Sequence, residues 1–220
     1  PASHIAVGIA LDVTGERVRQ AANDGAAKLI LGFGTGVYGW VFPQGDGSSI
    51  GIEVHWGVQN VDSKLTTLLG FEGYTWDQVI RRSAHPIPSI PGEHGLGTGR
   101  VLVAGDAAAL AHPLTGEGVR YAALSGRFAA RAILGEESED PAQSYSRWVH
   151  QEILPDLRAG ASLLKIVTGK ERFATTAARR NRRIYDTFQT LLTGDTTFSQ
   201  ATDHLGGLGR IAAFLSGAVR

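Results

Sequence analysis

Over the first sixty residues the apolar positions alternate. Ile5, Val7, Ile9 and Leu11 interleave with Ala6, Gly8 and Ala10, and this period of two predicts a strand from His4 to Leu11. Ala27 to Phe33 predicts a second strand, which runs on through a glycine stretch to Val37-Tyr38-Gly39-Trp40-Val41-Phe42 and is ended by Pro43. Gln44-Gly45-Asp46-Gly47 reads as a hairpin turn into a return strand, Ser48 to Trp56, with Ile50, Ile52, Val54 and Trp56 on one face. Between the first two strands, Glu16 to Gln20 suits one helical turn and Asn23-Asp24-Gly25 a chain reversal.

Beyond residue 60 the period lengthens. Val61 to Leu69 and Tyr74 to Arg82 read as helices, the second with Trp76, Val79 and Ile80 apolar. His85-Pro86-Ile87-Pro88-Ser89-Ile90-Pro91 is rigid and extended, and Gly92 to Gly99 is a glycine-rich loop. Val101 to Ala104 forms a short apolar strand. A helix then runs to about Leu134, with Val119, Ala122, Ala123, Gly126, Ala130 and Ile133 as its apolar face. After an acidic loop, Gly135 to Asp140, the pattern is helical: Pro141 to Val167, Glu171 to Leu192 and Ser199 to Val219. Breaks fall at Gly169-Lys170 and Thr193-Gly194-Asp195. The class is α+β: a small, mostly antiparallel sheet in 1–91, a strand-turn-helix segment in 92–135 and a helical region in 136–220.

Composition narrows the chemistry. Lys and Arg number 21, as do Asp and Glu, so the formal net charge is zero and gives no electrostatic case for nucleic acid. With no cysteine, disulfides, zinc-thiolate sites and thiol nucleophiles are excluded, and no other metal site is expected. No apolar run has transmembrane length and the start does not read as a signal peptide, so the expected location is cytoplasmic. Gly is abundant at 29 residues, well above the usual share of about 7%, which suits tight turns and close backbone approach. The chain lacks methionine and starts at Pro1, which reads as a processed chain or an internal piece of a longer one. Arg179, Arg180, Arg182 and Arg183 form the one basic cluster, either a solvated helix face or a contact for anionic lipid head groups. Leu163, Leu164, Ile166 and Val167 make an apolar wall or a membrane-facing patch.

The stretch RVLVAGDAAALAHPLTGEGVRY carries the chemistry. Gly105 and Asp106 stand at the carboxyl end of a strand, and Pro113, Thr115, Gly116, Glu117 and Gly118 lead into a helix. N–H groups at a helix start favour a negative group above the turn. Gly116 and Gly118, with no Cβ, let backbone approach a ligand. An acidic residue at a strand end accepts hydrogen bonds from ribose-like hydroxyls. The plain alternative is a capped αβ turn. A second glycine pattern, Gly34-Thr35-Gly36-Val37-Tyr38-Gly39, fits G-x-G-x-x-G but is rejected as a dinucleotide fingerprint. That fingerprint needs a helix next, whereas Trp40-Val41-Phe42-Pro43 favours a strand and then a break.

GDAA followed by HPLTGEG resembles the second flavin-binding motif of the para-hydroxybenzoate hydroxylase superfamily, most closely in the form found in geranylgeranyl reductases. YGWVFPQGD and the HPIP element resemble the same reductases. Ala109 stands for a frequent Gly and His112 for a frequent Asn. The resemblance implies FAD as cofactor, with Asp106 on the ribityl chain and the Gly116–Gly118 turn against the flavin pyrimidine edge. The cofactor set is then Gly105, Asp106, Pro113, Thr115, Gly116, Glu117 and Gly118. It implies that Tyr38, Trp40, Phe42 and Gly51 line a polyprenyl cavity. Three aromatics on one strand face are also ordinary core. Glu53 stands where the family usually has Gly, and either changes the cavity or points to solvent.

The implied protein is a flavoprotein that reduces C=C bonds of a polyprenyl (geranylgeranyl) lipid, with NADPH or ferredoxin as electron donor and peripheral contact with a membrane. The N-terminal Rossmann segment of that family is missing here, so the 220 residues alone are expected to be inactive. The alternatives are a flavin monooxygenase or halogenase of the same superfamily, or a non-catalytic interaction domain. No residue is assigned as catalytic. His85 is a candidate acid, but a lone His beside Pro more commonly serves structure.

Overall fold

The computed structural model describes residues 5–14, 26–31, 37–45, 47–55, 57–90, 96–99, 101–135, 140–167, 180–182, 186–187, 190–191 and 195–204. The chain divides into two units, Pro1–Ile87 and Pro88–Arg220.

In the first unit the alternating sequence becomes a five-stranded sheet. Its strands are β1 (Ile5–Thr14), β2 (Lys28–Leu31), β3 (Val37–Gln44), β4 (Gly47–His55) and β5 (Val79–Pro88), in the order β2-β3-β4-β1-β5. β3 pairs antiparallel with β2 and β4, and β4 with β1. One face packs on helix α1 (Val61–Phe71): Ile9, Leu11, Val13, Val37, Val41, Ile50, Ile52 and Val54 meet Leu65, Leu68 and Leu69 in one core. Residues two apart on a strand share a face, which is why these alternate strand positions enter it. Ion pairs of 2.6 Å, Lys28–Glu72 and Arg82–Asp62, tie β2 to the residue after α1 and β5 to the first turn of α1.

Three expectations change here. The second strand does not run on to Phe42: β2 and β3 pair antiparallel, Leu31 opposite Tyr38, so they are two strands of a hairpin. Tyr74 to Arg82 is not a helix: Trp76–Gln78 is one 3₁₀ turn, and the chain then extends into β5. β-Branched Val79 and Ile80 favour that extension, and Pro86 and Pro88 are tolerated because β5 is an outer strand. Pro43 does not end β3, which continues to Gln44. The β2 ladder reaches only Val41, so the N–H that Pro43 lacks would have had no partner on that side. Ile50, Ile52 and Val54 share the buried face as expected, whereas Trp56, Glu16–Gln20 and Asn23–Gly25 lie outside the described residues.

The second unit begins with a two-stranded ribbon, β6 (Gly97–Thr98) with β7 (Val101–Leu102). The expected strand Val101 to Ala104 is thus shorter, with the Val103 N–H bonded to Leu96 O at 2.9 Å. A 3₁₀ turn, Gly105–Ala108, and a loop lead to α2 (Val119–Ile133). Next come α3 (Pro141–Glu152), α4 (Leu154–Val167) and α5 (Phe198–His204). Asp140 caps α3, accepting from Ala142 and Gln143 N–H, with Pro141 in the first turn. The expected single helix Pro141 to Val167 is two. Pro155 has no N–H to continue a helix and clashes with the preceding turn, so α3 stops and α4 starts there.

The core of this unit gathers Leu96, Leu110, Tyr121, Phe128, Tyr145, Trp148, Val149, Ile153 and Leu157. The segments 92–135 and 136–220 therefore share one core. α2 buries Tyr121, Ser125, Phe128 and Ala132, not the expected stripe. That stripe is exposed, with Val119 at 82% and Ile133 at 69%. The larger aromatic face wins because it buries more apolar area per residue than Ala and Gly can. Most of Glu171–Leu192 and of Ser199–Val219 falls outside the described residues, as do Arg179 and Arg183, while Arg180 and Arg182 are exposed.

Candidate functional site

In the second unit the GD turn and the PLTGEG loop are brought together. The Asp106 carboxylate lies against Gly118: a Cβ there would stand 2.7 Å from Oδ1. Gly118 has an ordinary backbone (φ −125°), so closeness to Asp106, not torsion, demands glycine. Gly116 is the reverse case, in the left-handed region at φ 63°. Gly105 is left-handed too, at φ 58°, and it is buried under α2, where a Cβ would meet Ala122 at 3.0 Å. Its N–H donates to Ser125 Oγ at 3.0 Å. Gly105 therefore lets α2 close on the turn.

The loop is internally bonded. His112 N–H donates to Glu117 O and Gly116 N–H to His112 O, both at 2.8 Å. Glu117 Oε1 accepts the Arg120 N–H at 2.7 Å, so its side chain caps α2. Thr115 Oγ1 lies 3.2 Å from His112 Nδ1. Pro113 is buried. Val119 opens α2, and its N–H, like that of Gly118, has no intrahelical partner. Beside them stands the Asp106 acceptor. These groups suit the polar chain and ring edge of a flavin: hydroxyls toward Asp106, ring carbonyl and nitrogen toward the N–H groups, and no Cβ between them.

The loop is braced from below, a feature that sequence reasoning missed. His112 is buried, stacked on Phe198 with ring centroids 3.9 Å apart, and a Cβ on Gly160 of α4 would run into its ring. Nδ1 accepts from the Leu114 N–H at 3.4 Å, which leaves the proton on Nε2. Nε2 has no hydrogen-bond partner among the described residues. Burial pushes the imidazole down to about 4, so it is neutral. Tyr121 O–H donates to Asp156 Oδ2 at 2.5 Å, and Ser199 N–H to Asp156 Oδ1 at 3.1 Å. The only sequence signal was His112 standing where the resembling motif has Asn.

In the first unit Tyr38, Trp40 and Phe42 share the sheet face opposite the α1 core. Ring centroids are 6.3 Å apart for Tyr38–Trp40 and 6.1 Å for Trp40–Phe42. Trp40 pairs with Gly51, and a Cβ at Gly51 would run into its ring. The indole continues over Gly8 of β1, whose Cβ would sit 3.8 Å from it. Phe42 is 41% exposed. Glu53 does not point to solvent: it is 2% exposed, and Tyr38 O–H donates to its Oε2 at 2.8 Å. Burial pushes Glu53 up to about 7 against the lowering effect of that hydrogen bond, and burial with the nearby Glu53 raises Tyr38. His85 lies on exposed β5.

No family model matches the chain. Geranylgeranyl diphosphate reductase of Rhodobacter capsulatus is 36% identical over 97 residues, and the chloroplastic enzyme of Nicotiana tabacum 39% over 101. Each match takes in 44% of this chain but only 25% and 21% of the relative. The Synechocystis enzyme is 29% identical over 157 residues, 65% of this chain and 36% of that one. Over these stretches the chain is similar to geranylgeranyl reductases. The matched stretches span about a fifth to a third of the length of these reductases.

Solved structures agree on the fold. A geranylgeranyl bacteriochlorophyll reductase-like protein from Thermoplasma acidophilum has a TM-score of 0.60 at 21% identity, covering 74% of this chain and 44% of that one. The flavin-dependent brominase Bmp2 also scores 0.60, at 16% identity, over 99% of this chain and 57% of its own. The α+β arrangement is thus one that the chain shares with these two proteins. Among the described residues no helix is long and apolar enough to cross a membrane, and no group of His, Asp and Glu is placed to hold a metal.

Proposed function

We propose that this chain is part of an FAD-dependent oxidoreductase that reduces C=C bonds in a polyprenyl lipid or diphosphate. The observation that carries the reading is Asp106 set against Gly118 at the start of α2, an acceptor and donors with no Cβ between them. The names of the curated relatives support the choice of reaction. Once reduced, FAD supplies hydride. Asp106 would accept from the ribityl hydroxyls, and the Gly118 and Val119 N–H groups would hold the pyrimidine edge. Tyr38, Trp40, Phe42 and Gly51 hold the prenyl chain and exclude water. Gly105, Pro113, Thr115, Gly116 and Glu117 fix the turn.

The adenosine half of FAD belongs, on this reading, to a Rossmann segment outside these 220 residues. Two observations support that. The Gly34–Gly39 pattern runs into strand β3 and not a helix, and the small-residue stripe of α2 is exposed, as is Val101 of β7 at 62%. Electrons come from NADPH or ferredoxin. The protein works in the cytoplasm, in passing contact with a membrane that holds its lipid.

A second reading, a flavin halogenase or hydroxylase, is favoured by the likeness to the brominase along nearly the whole chain. The test is anaerobic. The complete flavoprotein, chemically reduced, is given geranylgeranyl lipid, and saturated product is expected. Substrate left unreduced, with chlorination or hydroxylation of an aromatic once oxygen is admitted, selects the second reading.

A further inference from the structure

The polar groups of the loop before α2 converge on one residue. His112 N–H donates to Glu117 O, and the His112 carbonyl accepts from Gly116 N–H, both at 2.8 Å. Its Nδ1 accepts from Leu114 N–H at 3.4 Å and lies 3.2 Å from Thr115 Oγ1. The first of these bonds aims a neighbouring donor. Glu117 O and Gly118 N–H belong to one peptide group, and in a trans peptide the carbonyl and the N–H point opposite ways. Holding Glu117 O toward His112 therefore turns the Gly118 N–H away from it. Gly118 is the residue set against the Asp106 carboxylate.

What fixes His112 is its side chain. The buried ring stacks on Phe198 of α5 with centroids 3.9 Å and planes 24° apart, and on Tyr121 of α2 at 6.1 Å and 14°. Gly160 of α4 comes so close that a Cβ would run into the ring. Three helices thus contribute neighbours, and close packing leaves such a ring one position. Filling space alone would need no nitrogen: an apolar side chain does that without the cost of burying an imidazole. Here the nitrogen is engaged with the loop. We infer that His112 is a positioning residue for the flavin turn: its ring, clamped by α2, α4 and α5, holds the 112–117 loop through Nδ1 and so aims the Gly118 N–H. The inference rests on the flavin reading of this turn, in which that N–H would hold the pyrimidine edge, where reduced flavin gathers negative charge.

The experiment uses the complete flavoprotein, freed of FAD and titrated with it, followed by the midpoint potential of the bound flavin. His112→Leu fills the space without an acceptor. It should weaken FAD about tenfold, and it should lower the potential, because a mis-aimed donor stabilises reduced flavin less. His112→Asn offers Oδ1 where Nδ1 stood. It should keep FAD affinity within about threefold of the parent, with the potential unchanged, while its melting temperature falls because of the void left beneath the loop. A ring that only filled space would give the reverse ranking in stability and affinity alike, Leu above Asn. Gly160→Ala reaches the ring from α4, with the loop unchanged in sequence, and should act like His112→Leu. Thermal melts check folding, and Gly160→Ala carries the test if His112→Leu does not fold. Parent affinity and potential in folded His112→Leu, or in folded Gly160→Ala, overturn the inference and leave the flavin reading standing. So does a loss in His112→Asn as large as in His112→Leu. Failure of the parent apoprotein to take up FAD overturns the flavin reading and the inference with it.

Discussion

Among the described residues each unit of the molecule buries one tyrosine–carboxylate hydrogen bond, and the two do different work. Tyr121–Asp156 sits among helices: the carboxylate takes a second donor, the Ser199 N–H, and stands in the first turn of α4, where the helix dipole favours its charge. Tyr38–Glu53 sits in a sheet, where there is no such dipole and one donor. The first is a tie between elements. The second is a titrating group near neutrality. The number of donors around a buried carboxylate, more than its burial, separates structure from chemistry.

The largest effect should come from cutting the tie. Asp156→Ala leaves the Tyr121 hydroxyl and Ser199 N–H without their acceptor and should cost about 3 kcal/mol, confined to the second unit. Hydrogen exchange read segment by segment checks this. Glu53→Gln, which keeps an acceptor for Tyr38, should cost under about 1 kcal/mol at pH 6. Equal costs would erase the distinction between the pairs.

Next comes the flavin turn. In the complete protein, Asp106→Ala should weaken FAD about ten- to a hundredfold, from the loss of a hydrogen bond to a charged group. Gly118→Ala should do about the same, because its Cβ displaces the same carboxylate. The double variant should be no worse than either single one. Additive losses, by titration of apoprotein, would mean that the two residues act separately.

The smallest effect sharpens the comparison through pH. Glu53 holds its proton longer in the folded state, about 7 against 4.5 unfolded, so the first unit should lose stability as pH rises from 4.5 to 7. His112 holds its proton less tightly when folded, about 4 against 6.5, so the second unit should lose stability as pH falls from 6.5 to 4. Each slope is at most about 1.4 kcal/mol per pH unit. Glu53→Gln should flatten the first limb and His112→Asn the second. Unfolding midpoints for each unit across pH 4 to 8 decide it, and a variant that leaves its limb unchanged removes that residue as the cause.

The sheet was legible because alternation is a strict signal: Ile9, Leu11, Ile50, Ile52 and Val54 all reach the core that their period assigns. β5 was not, because Trp76, Val79 and Ile80 are spaced three and four apart and mimic a helix face. The face of α2 was misread for a related reason. Its small residues form a consistent stripe, but burial within this unit goes to Tyr121 and Phe128. In the candidate site, the meeting of Asp106 with the Gly118 turn follows from the strand-turn-helix order. The brace beneath it does not, since Asp156 is 35 residues from Tyr121 in the chain and Phe198 lies further still. Glu53 was visible as an oddity, but only the ladder register showed it opposite Tyr38.

β5 has one more consequence. It is an outer strand of its sheet, and such strands can act as templates on which a second molecule adds its own strand. Pro86 and Pro88 have no N–H to offer a newcomer, and Arg81 and Arg82 would set like charges against like in a self-pairing copy. These prolines and arginines thus make it a poor seed for polymerisation, and the sheet can stay five strands wide while its aromatic face keeps its chemistry.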